Sequence, residues 1–155
     1  MRHALVLDTF AASEPSEAFE EAVSVAASVA CSIQTQDALL DLLFVGPEAY
    51  CFTAGRGLGD TDRMLEVLAG VRACRDKPFR TLHHAVLERR ASLSGAICVF
   101  LAWDEPRRAF VAQLQALGTP ARVFVVTEKD APVPARQGEV HHLVAGAIAE
   151  GLARL

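Results

Sequence analysis

Long basic runs are missing from this sequence: Lys and Arg cluster no further than the pairs Arg89-Arg90 and Arg107-Arg108. A nucleic-acid surface needs a positive stripe that tracks phosphates, so nucleic acid is excluded as the expected partner. The two pairs read instead as solvated helix ends, and the formal charge of the whole chain is -4. No C-x-x-C occurs among Cys31, Cys51, Cys74 and Cys98, and their spacing fits no zinc site. Three of them sit in apolar runs, SVACSI, AYCF and AICVF. That pattern predicts buried, reduced thiols and no disulfide.

Long hydrophobic runs are missing too. The longest uncharged stretch, Ala22 to Gln36, is rich in Ala and Ser and reads as a buried helix rather than a membrane span. The opening residues Met1 to Asp8 reach an acid too early for a signal peptide. No membrane contact by these segments is expected. A G-x-S-x-G nucleophile elbow is absent. Gly55-x-Gly57-x-Gly59 departs from the dinucleotide fingerprint G-x-G-x-x-G, and it follows a hairpin rather than a first strand. It reads as a connecting loop. The adjacent pairs His83-His84 and His141-His142 lack the i, i+4 spacing that would turn two rings to one metal on a helix.

What remains is a chain of 155 residues, 52% hydrophobic and 22% charged, suited to one domain with one sizeable core. His3 to Asp8 is a short apolar run ending in an acid, and reads as a buried strand. Ser13-Glu14-Pro15 predicts a helix start, with the helix running to about Gln34. Its residues Ala22, Ala26 and Ala30 form a small-residue stripe that lets it lie close on a sheet. Ala38–Val45 and Ala49–Thr53, separated by Gly46-Pro47-Glu48, predict an antiparallel hairpin. Helices are expected from about Thr61 to Ala73, capped by Asp60 or Thr61, and from Phe79 to Arg90. Gly95–Ala102 is the most hydrophobic strand. A helix from Glu105 to Leu117 ends at Gly118, with Pro120 beyond. Strands at Arg122–Thr127 and Val140–Leu143 and a helix from Ala145 complete the chain. The alternation predicts an α/β fold with a mostly parallel sheet covered on both faces and the hairpin strand at one edge.

This order, with its first strand ending in Leu-Asp, resembles the von Willebrand factor A fold, and within it the bacterial domain-of-unknown-function family fifty-eight. The resemblance rests on ALVLDT (4–9), AFEEAVSVAASVA (18–30), AGRGLGDTDRMLEVLAGV (54–71) and AICVFLAWDEPRRAFVAQLQALGTPARVFVV (96–126). It implies a Rossmann-like, three-layer domain of six strands in the order 3-2-1-4-5-6. It also implies that residues 1–155 form the C-terminal part of a longer protein, cytoplasmic and tethered to the inner membrane. The implied partner is a MoxR-type AAA ATPase.

The A-domain metal motif reads D-x-S-x-S, then a Thr before the third helix, then an Asp after the fourth strand. Asp8 matches the first position and Asp104 the last. Phe10 and Ala12 stand where the two Ser belong, and neither offers an oxygen. Arg80 falls on the Thr position, with Thr81 one residue out. The resemblance therefore implies a vestigial site at Asp8, Phe10, Ala12, Arg80, Thr81 and Asp104, with no metal and no other cofactor expected. Arg80 is the candidate for neutralising the two acids. Those residues predict a non-catalytic interaction or scaffold module, not an enzyme. The alternative is a small-molecule hydrolase using Asp8, Asp104 and Cys98. Against it, a haloacid-dehalogenase-like phosphatase needs a second acid where Phe10 stands. Cys98 lies mid-strand, where a thiol is buried and inert.

Overall fold

The computed structural model describes residues 2–11, 16–33, 39–55, 58–128 and 140–144. Strand β1 (Arg2–Leu7) is followed by helix α1 (Glu17–Ile33), the hairpin β2 (Leu39–Val45) and β3 (Ala49–Ala54), and helices α2 (Leu58–Ala69) and α3 (Arg80–Arg89). A single 3-10 turn at Arg90–Ser92 leads into β4 (Gly95–Phe100), α4 (Glu105–Ala116), β5 (Ala121–Thr127) and β6 (Val140–Val144). The final helix expected from Ala145 lies outside the described residues.

The six strands form one sheet in the order β3-β2-β1-β4-β5-β6. Every pairing is parallel except β2 with β3, which places the antiparallel strand at an edge, as the Gly46-Pro47-Glu48 turn predicts. The sheet is buried on both sides because its strands alternate apolar residues to both faces. On one face Leu5, Leu7, Leu42, Val99 and Val126 meet α1 and α2. Here Ala22, Ala26 and Ala30 are all fully buried, so the small-residue stripe is the contact surface of α1. On the other face Val6, Leu43, Phe100 and Val123 meet Leu82 and Val86 of α3 and Phe110 and Leu114 of α4.

Helix ends differ from expectation at both ends of α2, which stops at Ala69 and not Ala73, and at the start of α1. Ser16 caps α1, its Oγ accepting from the Phe19 N–H at 3.1 Å. The expected cap Ser13 lies outside the described residues. Helix α2 begins at Leu58, so Asp60 sits inside its first turn, and its carboxylate accepts from the Gly55 N–H at 3.0 Å instead of capping the helix. Helix α4 stops where expected, because Gly118 takes φ +88° and releases the chain in a left-handed turn. Two thiols also depart from the expectation of burial: Cys31 is exposed on α1 and Cys51 is half-buried on the edge strand, whereas Cys74 and Cys98 are buried; all four are free. SVACSI is apolar, but position 31 falls on the outer side of the helix.

Candidate functional site

Strands β1 and β4 are neighbours, yet the helices that leave them pack on opposite faces, α1 on one and α4 on the other. The two chains part at the C-terminal ends of these strands and leave a crevice, the place where open α/β sheets gather their functional groups. Asp8 follows β1 directly and Asp104 precedes α4 directly, so the crevice receives both acids that the sequence singles out.

Asp8 is fully buried. Its Oδ1 accepts from the Phe10 N–H at 2.9 Å, and its Oδ2 accepts from the Leu101 N–H at 2.9 Å. Its own N–H donates to the Val99 carbonyl at 2.9 Å, extending the β1–β4 ladder by one bond. Backbone donors alone would leave a buried negative charge only partly compensated. The compensation comes from Arg107, whose Nε donates to Asp8 Oδ2 at 2.6 Å and whose Nη1 donates to Asp104 Oδ2 at 2.7 Å. Asp104 is about half exposed, with its side chain at 48% accessibility. It also caps α4, its Oδ1 accepting from the Arg107 N–H at 3.4 Å.

The guanidinium thus bridges the two carboxylates, with Arg107 itself buried. Burial pulls the Arg107 pKa down, but the charges and hydrogen bonds of Asp8 and Asp104 outweigh it, so the net shift is upward and the cation is firmly held. Below the guanidinium lies the Phe79 ring, 4.8 Å from Cζ to centroid. Phe79 in turn makes edge contacts with Phe10, Phe100 and Phe110 at 5.6–5.9 Å. Trp103 stacks on Phe100 at 6.4 Å, and its indole N–H is buried without a hydrogen-bond partner.

The cation that neutralises the acids is Arg107, not Arg80, which is exposed at the start of α3. Arg107-Arg108 is not a pair of solvated residues: Arg107 is buried in the crevice, while Arg108 is exposed and paired with Glu105 at 3.1 Å. Thr81 lies within the first turn of α3, its N–H bonded to the Pro78 carbonyl at 3.1 Å. Phe10 packs its ring on Phe79. Ala12 lies outside the described residues. One signal in the sequence pointed to Arg107: it stands three residues after a helix-capping Asp, where both its N–H and its side chain can return to that carboxylate.

A divalent cation does not fit this arrangement. It would need oxygen acceptors converging on one point, whereas both oxygens of Asp8 already receive N–H donors and the guanidinium lies between the acids. Among the described residues no cluster of three or more His, Cys, Asp or Glu could hold a metal. Cys98 does not join the acids. It points into the α3/α4 side of the core, fully buried, and burial drives its thiol pKa upward, away from the thiolate form.

The loop after β1 is tied down on its other side. Thr9, fully buried, donates from Oγ1 to the Val45 carbonyl at 2.6 Å, and its carbonyl accepts from the Cys74 N–H at 2.7 Å. Across the sheet, the Glu128 carboxylate accepts from Ser16 Oγ at 2.9 Å and from the Ala18 N–H at 3.1 Å, holding the start of α1. No helix among the described residues is long and apolar enough to cross a membrane.

No family model and no curated protein matches the sequence. Solved structures do match the fold. The von Willebrand factor type A protein from Catenulispora acidiphila aligns over 99% of this chain with a TM-score of 0.67 and 12% identity; the chain spans 41% of that structure. The conserved hypothetical protein BatB from Bacteroides thetaiotaomicron aligns over 99% of this chain and 97% of its own, with a TM-score of 0.59 and 10% identity. An aerotolerance-related membrane protein from Bacteroides fragilis aligns over 99% of both chains, with a TM-score of 0.56 and 9% identity. With the strand order and the single antiparallel edge pair, these matches establish the von Willebrand factor A fold.

Proposed function

We propose that this domain is a non-catalytic protein-interaction or scaffold module that works through the loops around the β1–β4 crevice. The observation that carries this reading is the bridging of Asp8 and Asp104 by Arg107. A hydrolytic carboxylate needs a free oxygen aimed at substrate or at a water. Asp8 instead spends both oxygens on the protein's own donors, and Cys98 is a core thiol. The same groups that would do chemistry here fix the shape of the top face. The resemblance to domain-of-unknown-function family fifty-eight, and the similarity of fold to an aerotolerance-related membrane protein, support placing the domain within a bacterial membrane-associated protein. A MoxR-type AAA ATPase is the partner to test first.

The test is a binding measurement between the purified domain and the purified MoxR-type ATPase of the same organism, alongside turnover assays on generic phosphate and ester substrates. Saturable binding that is weakened by substitutions in the exposed crevice residues Asp104 and Glu105, with no turnover, is the expected result. Robust hydrolysis that vanished in an Asp8→Asn variant would replace this reading with the hydrolase one.

A further inference from the structure

We infer that Arg107 is a built-in cation that holds Asp8 and Asp104 as a divalent ion would, which makes the crevice a permanently loaded, metal-independent site. It concerns the chain alone and stands whether or not the proposed partner is the right one.

The geometry separates this role from that of an ordinary ion pair. An ordinary pair joins one acid to one base. Arg107 instead joins an acid at the end of β1 to an acid at the start of α4, using two different nitrogens at 2.6 and 2.7 Å. Its position lies between two carboxylates that the topology forces to the same crevice. Two facing carboxylates repel unless a cation sits between them. Something positive is therefore required there, and the chain supplies it from α4, three residues after the second acid. The bed of the cation is built as well. Phe79 lies under the guanidinium, and Phe10, Phe100 and Phe110 hold Phe79. The planar, weakly hydrated guanidinium suits that aromatic bed, on which it stacks. The two acids and one guanidinium leave the triad with one net negative charge. Its half-exposed member, Asp104, is the part a partner can reach.

Removing the guanidinium while keeping the apolar stem should turn the crevice into a cation site. In Arg107→Met the Asp8 and Asp104 oxygens regain a free lone pair each. One or two carboxylates completed by water can hold a small divalent cation weakly. Wild-type protein and the Arg107→Met variant would be melted with 0–10 mM MnCl2, and Mn2+ binding read directly by electron paramagnetic resonance. The wild type should show no saturable response. Arg107→Met should melt lower without metal and regain about 3–6 °C as Mn2+ saturates a site of about 1 mM dissociation constant. Adding Asp8→Asn should abolish the regain. A folded Arg107→Met that melts lower but neither binds Mn2+ nor recovers would reduce Arg107 to a structural ion pair and overturn the inference. Saturable Mn2+ binding by the wild type, lost in Asp8→Asn, would overturn it equally. Should Arg107→Met not fold alone, refolding from denaturant with and without 10 mM MnCl2 decides: recovery only with Mn2+ supports the inference, and no recovery in either counts against it.

Discussion

Two aspartates are buried in this sheet, and they are served very differently. Asp8, at the top, receives backbone N–H groups from Phe10 and Leu101 and a guanidinium nitrogen at 2.6 Å. Asp41, near the foot of β2, is 1% exposed and accepts from Thr53 Oγ1 at 2.6 Å. Its second oxygen faces Arg2 Nε at 3.6 Å, too far for a hydrogen bond, and both atoms are buried without a partner. The difference lies in where the arginines come from. Arg107 is held by a helix that starts in the crevice. Arg2 sits at the beginning of the first strand, with a third of its side chain exposed. The same residue types give a finished site at one end of the sheet and a loose pair at the other. Composition alone does not reveal which is which.

The same substitution at the two arginines should break the comparison most sharply. Removing one partner of a satisfied, buried pair typically costs about 3–5 kcal/mol, and Arg107→Met should fall in that range in urea unfolding. At 3.6 Å no hydrogen bond is lost with Arg2, but Arg2→Met leaves the buried Asp41 carboxylate without its counter-charge, so the loss should be smaller than at Arg107, about 1–3 kcal/mol. Equal losses would mean that the 2.6 Å and 3.6 Å separations do not mark different interactions.

The carboxylate of Glu128 tests whether the top of the sheet is well satisfied beyond the Arg107 triad. It accepts from Ser16 Oγ and the Ala18 N–H at the start of α1, a capping role supplied from another strand's end. Glu128→Ala should lower stability by about 1 kcal/mol, the usual worth of a helix cap. The loss should be matched by Ser16→Ala, and the double variant should lose less than the sum, because the two side chains share one hydrogen bond.

At the foot, Asp41→Asn gives the smaller change. The amide oxygen can still accept from Thr53 and the buried charge disappears, but the amide NH2 then faces the Arg2 Nε–H, donor against donor. Stability should move by less than about 1 kcal/mol, because relief of a poorly compensated buried charge is offset by a buried donor left without an acceptor. A loss of several kcal/mol, read by urea unfolding, would place Asp41 in the same class as Asp8.

Much of the fold was legible because hydrophobic period and turn residues act locally. Gly46-Pro47-Glu48 announced the hairpin, Gly118 the end of α4, and the Ala22, Ala26, Ala30 stripe the face of α1 that meets the sheet. The two acids were legible because strand ends can be counted. The inward turn of Arg107 is hidden in the Arg-Arg pair, whose members point about 100° apart on a helix; only its place three residues after the capping Asp104 marks it. Cys31 is hidden in the same way, lying in an apolar run but on the outer side of its helix. Phe10 could be seen to lack an oxygen. That it would pack against Phe79, the ring under the guanidinium, depends on α3 arriving from the far side of the chain.

The smallest expected effect comes from a polar pair that carries no ionised partner. His142 on β6 shares a 2.7 Å hydrogen bond with Thr127 Oγ1 on the neighbouring strand, and burial lowers its pKa from the ordinary histidine value. The folded protein therefore resists protonating this ring, whereas the unfolded chain takes up the proton near pH 6.5. Between the folded and unfolded values the unfolded state binds more protons, so stability rises with pH across that window. The full contribution of the neutral ring is present above about pH 6.5 and is lost as the pH falls toward the folded value. Unfolding free energies measured at closely spaced pH from 7.5 to 5 should show this slope in the wild type. His142→Gln keeps a group able to bond Thr127 and has no proton to gain, so its curve should be flatter than that of the wild type over the same range. Parallel curves would show that His142 titrates alike in both states.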